Sequence, residues 1–195
     1  MTNFRLIKSG LDLDGIRREL AASDLWVDMD ARPKRPSTHA NTDRIQLRTN
    51  VRIPGKIYLD IHETVDLPAW TILAETRRFV VDFVRETGGE VGHVRVTNLD
   101  ASAEIPAHVD IGEYCAIRDR YHLVINSECG TRFKAGEETV TMRENELWWF
   151  DNKKMHSVAN LGSVPRTHLV FDILPPVAGG RGGFAIDSVK SQGSR

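Results

Sequence analysis

Cysteine is scarce in this sequence. Cys115 and Cys129 are its only thiols, too few for a disulfide framework or a sulfur-built metal site, and their number fits a reducing compartment. Long apolar runs are missing as well. The opening MTNFRLIKSG is interrupted by Arg5 and Lys8, so it has no signal-peptide core, and no segment reaches the length of a membrane span. Charge of one sign does not accumulate either: 26 basic and 27 acidic side chains give a formal charge of −1 with no basic tract. That balance argues against nucleic acid or an anionic membrane as partner and for a small or neutral one. Together these absences describe a cytoplasmic protein, and 195 residues are most simply one domain with a substantial core.

What is present falls into two halves. After a strand-like FRLI, Asp12 or Asp14 can cap a helix over residues 15–22, with Leu20 packing and Trp26 just past its end. A polar, Pro-containing loop, MDARPKRPSTHANTD, leads to RIQLRT, where Ile45 and Leu47 alternate with Arg44, Gln46 and Arg48. Residues 68–87 carry Trp70, Leu73, Phe79 and Phe83 at helical spacing and stop at Gly88-Gly89, which predicts one main helix.

Beyond it the pattern predicts strands at 92–97, 120–126, 131–135, 138–142, 146–151, 156–160 and 166–173, separated by short Gly, Asn, Asp or Pro breaks. Strands without intervening helices suggest an antiparallel sandwich, of which the double-sheet jelly roll is one solution. The expected fold is mainly β with N-terminal helices. Residues 1–175 would form one domain with its β-rich core at about 91–175, and the Gly- and Ser-rich 176–195 a flexible tail or a substrate-ordered lid.

Seven histidines are present, at 39, 62, 93, 108, 122, 156 and 168. IPAHVDIG sets His108 and Asp110 two apart, on the same face of an extended segment, where an imidazole and a carboxylate can meet one metal. A third ligand is offered by His156, 46 positions after Asp110 on another strand-like stretch. Before it, ELWWFD puts Trp148 and Phe150 on one face and Leu147 and Trp149 on the other, as an inner sandwich strand would. Two imidazoles and a carboxylate leave one face of a metal open, which suits a non-haem Fe(II) oxygenase, where a chelating 2-oxoacid and O2 take the open positions, and equally a zinc hydrolase with bound water.

Arg166 favours the first. It follows His156 by ten positions on the next strand, an expected antiparallel neighbour, so that its guanidinium can hold the distal carboxylate of 2-oxoglutarate. RYHLVI, with Arg120 and His122, echoes RTHLVFDI, with Arg166 and His168. Buried guanidiniums need anions, so Arg120 and His122 are assigned to a second carboxylate, from the substrate or from the C1 end of the 2-oxoacid. His62 and His93 read as surface or strand histidines, His39 as a loop residue and Cys115 as a loop or edge thiol. Arg95 is either a cavity residue or exposed.

AHVD, RYHLVI, ELWWFDNKKMHSV and RTHLVFDI, in this order and spacing, resemble the aspartyl/asparaginyl β-hydroxylases and the related bacterial proline hydroxylases, over residues 91–173. The resemblance implies a double-stranded β-helix, His108, Asp110 and His156 as iron ligands, and Arg166 as anchor of the 2-oxoglutarate C5 carboxylate. Arg120 and His122 match positions facing substrate or cosubstrate. Thr97 falls where vertebrate members have a serine that assists the same carboxylate. The best-known β-hydroxylases lack the carboxylate ligand; Asp110 is present here, as in the proline hydroxylases, so hydroxylation is favoured over halogenation. The proline enzymes also carry a C-terminal helical region for which this chain is too short.

The implied activity is Fe(II)/2-oxoglutarate- and O2-dependent hydroxylation of an unactivated C–H in an amino acid or an amino-acid residue of a peptide or protein. A metal-dependent hydrolase and a cupin-like small-acid binding protein are the rivals; they predict anaerobic product and saturable binding without turnover, respectively.

Overall fold

Alternation and short breaks after residue 90 produce strands, and the chain folds them into two facing antiparallel sheets. The computed structural model describes residues 2–28, 41–51, 53–57 and 59–176. His39, most of the polar loop around it, and the expected tail from 177 onward lie outside the described residues. In chain order the elements are β1 (Phe4–Lys8), α1 (Asp14–Ala21), β2 (Val27–Asp28), β3 (Thr42–Asn50), β4 (Thr64–Asp66), α2 (Pro68–Ile72), α3 (Ala74–Thr87), β5 (Glu90–Leu99), β6 (Glu104–His108), α4 (Glu113–Ala116), β7 (Asp119–Asn126), β8 (Thr131–Ala135), β9 (Glu138–Met142), β10 (Leu147–Phe150), β11 (His156–Asn160) and β12 (Arg166–Leu174).

The larger sheet runs β1-β10-β7-β12-β5-β3-β2, with β4 paired to β3, and the smaller runs β6-β11-β8-β9. From β5 onward the chain passes repeatedly between the two sheets, which makes this a double-stranded β-helix, the jelly-roll or cupin-like sandwich. Because β7 and β12 are central, they are buried on both faces. On one face Tyr121, Leu123, Leu169 and Phe171 pack under the helices against Ile16, Leu20, Trp70, Val80 and Phe83. On the other, Val124, Leu99 and Phe150 meet Phe133, Ala135, Met142 and Val158 of the smaller sheet. The ELWWFD alternation resolves as expected, with Leu147 and Trp149 on the helix side and Trp148 and Phe150 between the sheets.

The predicted helix over 68–87 is instead two, broken at Leu73 (φ −86°, ψ 74°). The break has a distant cause. Glu19 of α1 accepts hydrogen bonds from the backbone N–H groups of Glu75 and Thr76, at 2.9 and 3.0 Å, and from the Thr76 hydroxyl at 2.8 Å. A carboxylate there satisfies donors that an uninterrupted helix would have spent internally, and it sits at the favourable end of the dipole. At the other end α3 stops as predicted, with Gly88 in the left-handed conformation at φ 69°. The α1 helix starts at Asp14, whose N–H is held by the Asp12 carboxylate at 3.0 Å. Cys115 lies in the short α4 rather than in a loop, and both cysteines are unpaired.

Candidate metal centre and cavity

β6 ends on His108 and β11 begins on His156, and the two residues are directly opposed in the antiparallel pairing. Their rings lie 4.2 Å apart between centroids. Asp110, two residues beyond the end of β6, brings its Oδ2 to 3.9 Å from His156 Nε2. Ligand atoms of His108, Asp110 and His156 all lie within 4.8 Å of one another. Each histidine has its Nδ1 on the carbonyl oxygen two residues earlier, His108 on Pro106 at 2.8 Å and His156 on Lys154 at 2.9 Å. That contact fixes the proton on Nδ1 and leaves the electron pair on Nε2, as a metal-binding imidazole requires. Burial pushes the His156 pKa down and keeps the ring neutral. For Asp110 burial is the largest influence and opposes ionisation, but the surrounding positive charge, that of Arg120 first, together outweighs it and holds the carboxyl below its ordinary range. Two imidazoles and one carboxylate, with no thiolate, suit a first-row divalent ion such as Fe(II).

Behind these three residues a cavity opens between the sheets, lined by Thr42, Arg95, Thr97, Ile105, His108, Asp110, Arg120, His122, Phe133, Phe150, His156, Val158, Arg166 and Val170. The seven residues singled out in the sequence, His108, Asp110, His156, Thr97, Arg120, His122 and Arg166, therefore share one wall-to-wall space. Arg166 is the conspicuous member. It is 2% exposed, and its Nε and Nη1 have no hydrogen-bond partner among the described residues. Burial alone pushes its pKa down to about 9, so it is still a cation at neutral pH, and a buried cation without an anion is costly.

Arg166 reaches this cavity by a route the sequence spacing did not indicate. It is not a hydrogen-bonded neighbour of His156: β11 belongs to the smaller sheet and β12 to the larger, with β12 paired to β5 and β7. Residues 161–165 carry the chain across the sandwich, so the two side chains face each other through its interior instead of along one sheet.

Arg120 also differs from expectation. Its Nε and Nη2 donate to both oxygens of Asp172, at 2.7 and 3.0 Å, and its Nη1 donates to Asp110. Burial works against that charge, but the two carboxylates more than offset it and hold the pKa well above normal. The anion that satisfies Arg120 is thus supplied by the protein. Asp172 stands directly opposite Arg120 in the β12–β7 register. His122 sits in the same wall with its Nδ1 3.1 Å from Nδ1 of His168. Thr97 Oγ1 is 3.5 Å from the His168 carbonyl oxygen.

The sequence left Arg95 open between cavity and solvent; it lines the cavity. Its pKa is lowered, first by burial and then by Arg120. His62 is not a surface residue: it is buried, with Nε2 2.9 Å from the Ile57 carbonyl. His93 lies on β5, stacked on Tyr114 at 4.3 Å, with Nδ1 4.0 Å from Asp172 Oδ2. Tyr114 receives the His93 backbone N–H at 2.6 Å. That approach requires glycine at position 92, where a Cβ would lie 2.3 Å from the tyrosine oxygen.

A jelly roll with a His-x-Asp and a distant His gathered at its cavity has the fold and donor set of the non-haem Fe(II) oxygenases. A family model described as aspartyl/asparaginyl beta-hydroxylase matches residues 16–176, and the chain belongs to that family. The match takes in most of α1 and every later element, but not β1. The chain is 29% identical over 82 residues to an L-proline cis-4-hydroxylase of Rhizobium meliloti (strain 1021), a stretch covering 42% of this chain and 29% of that protein. The chain thus matches less than a third of that relative's length.

Among solved structures, an oxidoreductase of the 2OG-Fe(II) oxygenase family from Burkholderia pseudomallei is similar with TM-score 0.55 and 13% identity, covering 88% of this chain and 84% of that one. A viral collagen prolyl hydroxylase from Paramecium Bursaria Chlorella virus-1, in complex with 2OG, is similar with TM-score 0.51 and 9% identity, over 88% and 96% of the two chains. At such identities these likenesses bear on the fold, which they share.

Proposed function

We propose that this protein is an Fe(II)/2-oxoglutarate-dependent dioxygenase that hydroxylates an unactivated C–H of an amino acid or amino-acid residue. The observation that carries the reading is the buried guanidinium of Arg166, whose Nε and Nη1 have no hydrogen-bond partner among the described residues, in the cavity that also holds His108, Asp110 and His156. A hydrolytic site has no evident use for such a cation. A dicarboxylate cosubstrate does, with one end at the metal and the other on Arg166.

His108, Asp110 and His156 would hold the iron, which supplies the O2-dependent oxidation when bound. The rest falls to the chain's own side chains. Arg166 binds the distal carboxylate, with the Thr97 hydroxyl beside it. Arg120, pinned by Asp172, keeps Asp110 ionised and oriented as a ligand. Counted over the cavity, Arg95, Arg120 and Arg166 face Asp110 and Asp172, an excess of positive charge before any metal enters, so anionic guests are favoured. With Arg120 engaged by the protein, Arg95 is the cation left for a substrate carboxylate. Phe133, Phe150, Ile105 and Val158 form the apolar walls that exclude water from around the reacting atoms.

Two free thiols and no described helix long and apolar enough to cross a membrane agree with a cytoplasmic enzyme acting on a small molecule, peptide or protein. The test is anaerobic addition of Fe(II) and 2-oxoglutarate. A visible charge-transfer band in the wild type, absent in His108→Ala, followed by O2-dependent release of succinate and CO2, is expected. No band with metal shown to be bound overturns the reading, and so does product formation with zinc under anaerobic conditions.

A further inference from the structure

A continuous hydrogen-bonded chain of side chains runs from the cavity wall through the sandwich. His122 Nδ1 is 3.1 Å from His168 Nδ1, His168 Nε2 is 3.2 Å from Thr131 Oγ1, and Thr131 Oγ1 is 3.2 Å from Ser127 Oγ. All four residues are buried, with His168 and Thr131 fully inaccessible. Both rings are neutral: burial first, and then the Arg166 charge, hold the pKa values of His122 and His168 well below normal.

A neutral imidazole carries one proton, and His168 is bonded through both nitrogens, so one of them donates and the other accepts. Two polarities are then possible for the whole chain. The hydroxyl end chooses between them. If protons pointed from His122 toward Ser127, the last hydroxyl hydrogen would have no acceptor among the described residues, in a buried position where an unmade bond is expensive. In the opposite sense every link is satisfied. Ser127 donates to Thr131, Thr131 donates to His168 Nε2, and His168 donates from Nδ1 to His122 Nδ1. His122 must then carry its proton on Nε2, the nitrogen left for the cavity.

We propose that Thr131, acting through His168, is a positioning residue that locks His122 into the Nε2–H tautomer, so that His122 meets a cavity ligand as a hydrogen-bond donor and selects a carboxylate. The chemical consequence is specificity by sign. A donor held rigidly beside the Arg166 cation donates to an anion's oxygen and rejects a ligand that presents an N–H or a cation at the same point. Its use for 2-oxoglutarate rests on the dioxygenase reading; the tautomer itself does not.

Long-range proton–nitrogen correlation NMR of the metal-free protein reads the tautomer directly. In the wild type the expected result is a single form with Nε2–H on His122 and Nδ1–H on His168. Thr131→Val cuts the chain while preserving shape, so both tautomers of His122 should be populated, and 2-oxoglutarate should bind the Mn(II)-loaded protein about tenfold more weakly. Thr131→Ser should restore the single form. Ser127→Ala should leave it unchanged, because the Thr131 hydroxyl then becomes the end that has to donate.

A wild-type His122 protonated on Nδ1 overturns the proposal whether or not any variant folds. A folded Thr131→Val protein with an unaltered single tautomer overturns it as well. If the wild-type tautomer is as stated and 2-oxoglutarate does not bind, the dioxygenase reading fails and the relay stands.

Discussion

Arg120 and Asp172 face each other across β7 and β12 and share two parallel hydrogen bonds, Nε to Oδ1 at 2.7 Å and Nη2 to Oδ2 at 3.0 Å. The pair is almost wholly out of solvent, with side-chain exposures of 7% and 2%. Removing one partner strands the other. Asp172→Ala should therefore destabilise the protein by about 3–5 kcal/mol, measured as a lower urea midpoint with unchanged slope. It should also weaken Mn(II) binding, because Asp110 then faces a guanidinium that nothing else holds in place. A variant with wild-type stability and metal affinity would show the pair to be incidental.

Arg166 makes the opposite prediction. Its Nε and Nη1 have no hydrogen-bond partner among the described residues, so Arg166→Met removes a buried charge and no described hydrogen bond to either atom. Stability of the ligand-free protein should stay the same or rise by as much as about 4 kcal/mol, while 2-oxoglutarate affinity falls by at least about thirtyfold. Calorimetric titration paired with chemical denaturation separates the two effects. A large loss of stability would mean that Arg166 has a structural partner and no ligand role.

Acid should weaken the metal-free protein in two stages. The His93 pKa is lowered to about 4, by burial first, and those of His122 and His168 lie well below normal. A histidine harder to protonate when folded than when unfolded gives stability that is complete above pH ~6.5 and is lost as pH falls through that window. For His93 alone the loss by pH 4 is roughly 3 kcal/mol. Asp172 opposes burial with the Arg120 charge, and its pKa is lowered on balance. Its contribution is complete above pH ~4 and fades only below it. Urea midpoints should decline from pH 7 to 5 and steepen below 4; a midpoint flat between 7 and 5 would contradict the buried neutral histidines.

Metal should act as a stabilising ligand. Saturating Mn(II) at a hundred times its dissociation constant should add about 2.7 kcal/mol. His108→Ala, Asp110→Asn and His156→Ala should each abolish most of that gain. Cys115→Ser should leave it intact.

Much of this was readable from pattern alone. The ranges 131–135, 138–142 and 156–160 are the strands β8, β9 and β11 themselves, because period-two alternation between turn residues is a local signal. Gly88 stops α3 for an equally local reason. What escaped the sequence depends on distant partners. Leu73 breaks a well-patterned helix because Glu19, from another helix, takes over the donors at the start of α3.

The echo of RYHLVI and RTHLVFDI suggested two equivalent carboxylate sites, but the strands that carry them are antiparallel. The histidines therefore meet in the middle while the arginines point to opposite ends, one saturated by Asp172 and one with its Nε and Nη1 unpartnered among the described residues. Identical tripeptide patterns acquire unlike roles from register, which no single strand encodes.

The first strand adds a matter of timing. Phe4 lies opposite Phe150, and Asn3 donates from its backbone to Glu138 and from its side chain to the Ala135 carbonyl. β1 thus leaves the ribosome long before any of its partners exists and is among the last strands to find its place. Until then β10 has an open edge and the nascent chain an unpaired FRLIK segment, so aggregation during synthesis should depend on how quickly this one closure occurs. Substitutions in β1 should accordingly reduce the yield of folded protein in cells more than they reduce the stability of the molecules that succeed.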